Sequence, residues 1–277
     1  MHKARLLTAM GLIPLVLLGL FYLPVIYLRA ITVIIMLAAA WEWGRMLALP
    51  KQSLFKFMAG MALLVIAIGM LLTQLQWLYK LAWFFGLGWL LIAGYLMASA
   101  YRTKPWTAHR GYSTLAGYFV LGSFGVGLNG LLSLPLGAMG LLGLLSLIWA
   151  ADSGAYYAGR AYGKHLLLPQ VSPKKTWEGV AGGMLAANIT ALCLAWLIAY
   201  YANIALINWK NFGLLQLLLG ISIVGDLFES LIKRAHHVKD SGGLLPGHGG
   251  LLDRLDSLMA ALPFFMVIYW AEINQYW

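Results

Sequence analysis

Nine mostly apolar runs, each about 20 residues long, take up most of this chain, and that length matches what a helix needs to cross a bilayer. Their soft-edged bounds are 6–23, 25–47, 54–73, 78–99, 114–132, 136–159, 179–202, 212–235 and 253–275. The runs are continuously apolar rather than alternating. Helices, which satisfy their own backbone polar groups in lipid, are therefore strongly preferred over a barrel. Of the 277 residues, 62% are hydrophobic and 10% charged. A water-soluble fold of this length could not hide so much apolar surface. The expectation is an all-α polytopic integral membrane protein of about nine transmembrane helices, forming a single membrane domain over 1–277.

Charge then orients the helices. The net charge of +10 does not point to nucleic acid in such a chain, because Lys and Arg mark the cytosolic loops of membrane proteins. With the N-terminus in the cytosol, sixteen of the nineteen basic residues fall inside, and only Arg29, Lys80 and Lys210 fall outside. This predicts a cytosolic N-terminus and a C-terminus on the other side. The basic, apolar start resembles a signal peptide, but no small-residue cleavage site follows it, so it is expected to stay as the first transmembrane helix. Cys193 is the single cysteine, which excludes an intramolecular disulfide and argues against a cysteine-based metal site.

The nine acidic residues are unevenly spread, with seven between 152 and 256. Residues 1–140 therefore read mainly as scaffold helices, and 141–277 as catalytic helices and cytosolic loops. Asp152 lies eight residues before Arg160, and Asp226 seven before Lys233. At about 1.5 Å per residue, both carboxylates sit roughly 10–12 Å inside their helices from the cytosolic end. An isolated Asp at a helix centre costs about 2.5–3.5 kcal/mol on insertion scales, so a cationic or metal partner is expected. Glu229 shares a face with Asp226, and either joins the site or pairs with Lys233 at i+4. Glu42 is assigned to a local pair with Arg45 at i+3 and left out of the site.

Two basic loops accompany these acids. The stretch 233–250, KRAHHVKDSGGLLPGHGG, brings Lys233, Arg234, Lys239 and His248 together with glycines that include Gly249 and Gly250. Glycines permit close backbone approach and anion-binding nests, and the cations suit a phosphate-rich ligand. No Gly-Lys-Ser/Thr follows, so this is not a Walker A loop. The second loop, LPQVSPKKTWEG at 168–179, suggests Ser172 as N-cap and Pro173 as first residue of a helix. Lys174 and Lys175 would then stand at a helix N-terminus, where anions are favoured. Asp253 and Asp256 open the last apolar run. They resemble a capping box, yet carboxylates from several helices beside phosphate-binding cations also make a Mg²⁺ site.

The residues Ser230, Lys233-Arg234, Lys239-Asp240, Pro246-Gly-His248-Gly249-Gly250 and Asp253-Arg254-Leu-Asp256 closely resemble the signature of the phosphatidate cytidylyltransferase family, also called CDP-diacylglycerol synthases. Upstream, Asp152, Ala155-Tyr156, Gly159-Arg160, Gly163-Lys164, Ser172-Pro173-Lys174-Lys175-Thr176 and Glu178-Gly179 resemble it too. Residues 1 to about 140 are similar only in being a helical membrane region.

The resemblance implies a nucleotidyltransferase of phospholipid biosynthesis. It would transfer a cytidylyl group from CTP to phosphatidate in the cytosolic leaflet, giving CDP-diacylglycerol and pyrophosphate. It implies Mg²⁺, with a second cation left open, and Asp226 and Asp253 as metal ligands helped by Asp256 and Asp152. Lys174, Lys175, Lys233, Arg234 and Lys239 would bind the triphosphate, and His248, Gly249 and Gly250 would line its path. Ser172 and Arg254 complete the expected substrate contacts. The expected setting is multi-pass in a bacterial plasma (inner) membrane, with the active site facing the cytosol, membrane lipids and a homodimer as partners, and no nucleic acid. Enzymes that join an alcohol to a CDP-lipid need Asp-x-x-Asp-Gly and further downstream Asp residues. Here Asp256 is followed by Ser257, and no later Asp exists. A transporter binding an ion at Asp152 and Asp226 would not need the basic, glycine-rich loop.

Overall fold

A computed structural model describes residues 11, 14–99, 109–202, 209–244 and 249–273. Helical backbone over 14–22, here α1, is followed by α2 (Val25–Met46), α3 (Lys51–Met70), α4 (Leu75–Ser99), α5 (Arg110–Leu132) and α6 (Gly137–Tyr162). A short hairpin, β1 (Leu166–Leu168) and β2 (Ser172–Thr176), leads into α7 (Trp177–Ala202), α8 (Trp209–Ala235) and α9 (Leu252–Ile273). Among the described residues, the eight helices α2–α9 are long and apolar enough to cross a membrane. The fold is thus all-α and polytopic. Of the first expected span, 6–23, residues 6–10, 12 and 13 lie outside the described residues, and 14–22 is helical.

Lipid tails are as apolar as leucine, so packing inside such a bundle relies on close approach of small residues rather than on hydrophobic sorting. The most buried helix, α5, shows this. It touches α2, α3, α4, α6 and α9 and carries five glycines between 117 and 130. At Gly127 a Cβ would stand 2.8 Å from the backbone of Leu262 and Pro263 in α9. Buried hydrogen bonds lock the same layer: Trp89 Nε1 in α4 donates to Ser123 Oγ at 2.8 Å, which donates onward to the Met259 carbonyl at 2.8 Å. Helix α8 packs on α9 and α4, while α6 and α7 form a tight pair whose outer face is exposed.

The hairpin corrects one expectation. Ser172 and Pro173 do not start a helix; they open strand β2, antiparallel to β1 with Leu168 opposite Ser172 and Leu166 opposite Thr176. Pro169 sits at the second position of the turn closed by Val171 N–H to the Leu168 carbonyl at 3.1 Å, a position that proline favours. With β1 available as partner, 172–176 pairs as a strand, and Thr176 takes the cap. Its Oγ1 accepts from Gly179 N–H at 3.1 Å, the N3 contact of a helix N-cap. Glu178, in the first turn of α7, pins the hairpin's base. It accepts from Lys164 N–H at 3.1 Å and His165 N–H at 3.2 Å, and meets His165 Nδ1 at 2.5 Å.

Candidate active site

The chemistry gathers where the C-terminal half of α6, the hairpin, the start of α7 and the C-terminal half of α8 surround a cavity of about 540 Å³. Asp152 and Arg160 come from α6, Ser172, Lys174 and Lys175 from β2, and Asp226 from α8. The deeper walls are apolar, with Ala151, Val180, Met184, Leu219 and Ile223. The pocket is therefore polar at its mouth and lipid-like below.

Asp226 is the hub. Its Oδ2 forms a close ion pair with Lys175 Nζ, and its Oδ1 is 3.5 Å from the Ser230 hydroxyl. Lys174 and Lys175 therefore act from a strand beside the helix start, not from its first turn, and Lys175 reaches across to α8. Asp152 interacts electrostatically with Asp226, Lys175 and Arg254, and Asp256 with Asp226, Glu229 and Lys175. Helices α8 and α9 come close here because Gly225 has no side chain. A Cβ there would overlap the Asp256 carbonyl oxygen. The residue before the hub thus sets the distance between two of its acids.

A second cluster lies beside the cavity and is not part of its lining. Lys233 is buried, and its Nζ stands 2.6 Å from Asp253 Oδ1 and 3.1 Å from Glu229 Oε1. The other Asp253 oxygen accepts from Ser241 N–H at 3.0 Å and Gly250 N–H at 2.9 Å. Asp253 lies in the first turn of α9 and ties the ends of the glycine-rich loop together. Gly249 occupies the left-handed region at φ 81°, which favours glycine. Arg234, Lys239 and Arg254 are exposed, and Arg234 Nη1 donates to the Val238 carbonyl at 3.3 Å. His248 lies outside the described residues. The structure thus joins Asp152, Asp226, Ser172, Lys174 and Lys175 around one cavity, sets Asp256 behind that lining within electrostatic reach of Asp226, and holds Lys233 and Asp253 in the adjoining buried cluster.

The expected local pair of Glu42 with Arg45 does not form. Arg45 instead lies over the Trp41 ring, 5.3 Å from its centroid. Glu42 is 1% exposed, and its Oε2 accepts from Leu252 N–H at 2.8 Å and from the Ser241 hydroxyl at 3.1 Å. A carboxylate of α2 therefore caps α9 and supports the loop from beneath. Gly242 and Gly250 give it room, since a Cβ at either would overlap the Glu42 carboxylate. The glycines at 242 and 250 are the signal that a buried group presses on this loop. Replacing Glu42 with Ala should destabilise the protein by about 2–3 kcal/mol, the scale of a lost hydrogen bond to a charged group plus a stranded donor. Thermal unfolding in detergent measures this, and Glu42→Gln should recover part of the loss.

Among the described residues, no three His, Cys, Asp or Glu side chains stand close enough to hold a metal by themselves. Asp152, Asp226, Asp253 and Asp256 all offer hard oxygen ligands, with both Asp253 oxygens already engaged by Lys233, Ser241 and Gly250. They suit Mg²⁺, which uses one or two carboxylates together with waters and substrate phosphates.

Comparison with known proteins bears on this arrangement as a whole. The Cytidylyltransferase family matches residues 3–271. A phosphatidate cytidylyltransferase of Pseudomonas aeruginosa is 36% identical over 280 residues, covering 98% of both chains. One from Haemophilus influenzae is 53% identical over 133 residues, 47% of this chain and 45% of that protein. One from Bacillus subtilis is 46% identical over 120 residues, 42% of each. The shared family covers the cavity, the hairpin and the glycine-rich loop alike, and the chain belongs to the cytidylyltransferase family of nucleotidyltransferases, alongside the phosphatidate cytidylyltransferases.

Proposed function

We propose that this chain transfers a cytidylyl group from CTP to phosphatidate, releasing pyrophosphate, at the cavity around Asp226. The observation that carries the reading is the cavity's two-part lining. Arg160, Lys174 and Lys175 meet Asp152 and Asp226 at the mouth, above apolar walls from three membrane helices. A nucleotide triphosphate suits the first part, and the acyl chains of a lipid phosphate suit the second.

In the reaction, a phosphate oxygen of phosphatidate attacks the α-phosphorus of CTP. A new P–O bond forms, the bond from the α-phosphorus to the bridging oxygen breaks, and pyrophosphate leaves with that electron pair. The attacking phosphate is already anionic, so no strong general base is needed, and catalysis is mainly positioning and charge neutralisation. Lys174, Lys175 and Arg160 hold the triphosphate and favour departure of pyrophosphate, with Arg234, Lys239, Arg254, His248 and the Gly249–Gly250 backbone along its path. Lys233 and Asp253 act from the adjoining cluster, which shapes the loop. Asp226 and Asp253, with Asp152 and Asp256, would hold Mg²⁺ and any second cation. When bound, such an ion supplies neutralisation of phosphate charge. The lipid phosphate comes from the cytosolic leaflet, with the active site facing the cytosol of a bacterial inner membrane.

Purified protein in detergent, given phosphatidate and labelled CTP, should release pyrophosphate and form a labelled lipid only with Mg²⁺ present. Chelation should stop both. No release at any Mg²⁺ concentration would overturn the reading, and coupled ion flux in vesicles without release would favour a transporter.

A further inference from the structure

At the opposite end of the bundle, α2, α3 and the end of α5 enclose a groove of about 260 Å³. Its walls are apolar: Ile26, Val33, Val65, Ile68 and Leu72. One cation, Arg29, projects among them from the second turn of α2. Arg29 Nη2 donates to the Ser133 hydroxyl at 2.9 Å, while its Nε is fully buried with no acceptor among the described residues. Among the described residues, no carboxylate pairs with this charge. Eight of the nine acidic side chains lie toward the other end of their helices or in the loops there, and Glu272 is taken by Lys210 at 2.8 Å. A guanidinium in an apolar setting, with no acid among the described residues in reach, calls for an external anion.

We propose that this groove binds one anionic glycerophospholipid, its phosphate on Arg29 and an acyl chain along Val33, Val65 and Ile68. The apolar walls select a lipid over free phosphate. The single positive charge selects an anionic head group, since no carboxylate among the described residues stands here to meet the cationic part of a zwitterionic head. The site is separate from the cytidylyl-transfer cavity and does not depend on that reading.

Phosphatidylglycerol with a photoreactive acyl chain, incorporated around the full chain in nanodiscs, tests this by mapping the crosslinked peptides. Label is expected on α2 and α3. Arg29→Gln should cut it about tenfold, the equivalent of one charge-assisted hydrogen bond. Gly69→Leu should cut it as far without touching Arg29. Gly69 lines the groove, and a Cβ there meets nothing within 4 Å, so a larger side chain has room to enter the groove from this position. Equal labelling by photoreactive phosphatidylcholine, or undiminished labelling in Gly69→Leu, overturns the proposal.

Discussion

Replacing Asp226 with Asn should lower turnover by about 10³-fold, the upper range for removing one electrostatic group from an active site, and leave the fold intact. Asp226 borders a cavity, and an Asn carbonyl still accepts from Ser230, so no buried group loses its partner. Its effect on CTP binding separates two roles. If Asp226 only balances Lys175, its loss frees a cation for the triphosphate, and CTP should bind more tightly while turnover holds. If it organises the reacting phosphates through a bound Mg²⁺, turnover collapses although nucleotide binding persists, and added Mg²⁺ does not restore it. Steady-state kinetics with a separate CTP-binding titration distinguishes the cases. Turnover within tenfold of the parent protein would remove Asp226 from the catalytic group.

How much of this was legible before the structure follows from the length scale of each signal. Helices α2–α9 lie within four residues of the apolar runs at every boundary, because a bilayer demands long, continuous stretches that no other residue pattern imitates. Asp152 and Asp226 were visible as charges inside such runs, and the structure brings both to one cavity. The hairpin was not visible. Strands of three and five residues carry too few positions for a period to show, and Ser172-Pro173 suits a helix start as well as an edge strand. Glu42 was hidden for another reason. Its partners Ser241 and Leu252 are about two hundred residues away, whereas Arg45 offered a local pair at helical spacing. Reading 1–140 mainly as scaffold leaves out a carboxylate on which the glycine-rich loop rests.

Lys233→Met should cost about 3–5 kcal/mol of stability, the range for breaking a buried ion pair and leaving charge uncompensated. Lys233 is 7% exposed and serves both Glu229, 4% exposed, and Asp253. Removing the ammonium strands two carboxylates in a place where water cannot replace it. The family resemblance suggests a different role, with Lys233 reaching the triphosphate, and the two roles separate cleanly. A phosphate ligand would leave the melting temperature of the substrate-free protein unchanged and raise KM for CTP. A buried counterion lowers the melting temperature with no substrate present. Adding Glu229→Gln to Lys233→Met should then recover part of the loss, because one of the two stranded charges is gone. Asp253 accepts three donors in this arrangement, so Asp253→Asn would turn an amide N–H toward a donor as well as weaken any metal contact. Loss of activity in that variant alone therefore does not identify a metal ligand. The same measurement in Lys233→Met/Asp253→Asn, where the facing ammonium is absent, isolates what the charge of Asp253 contributes beyond holding the loop.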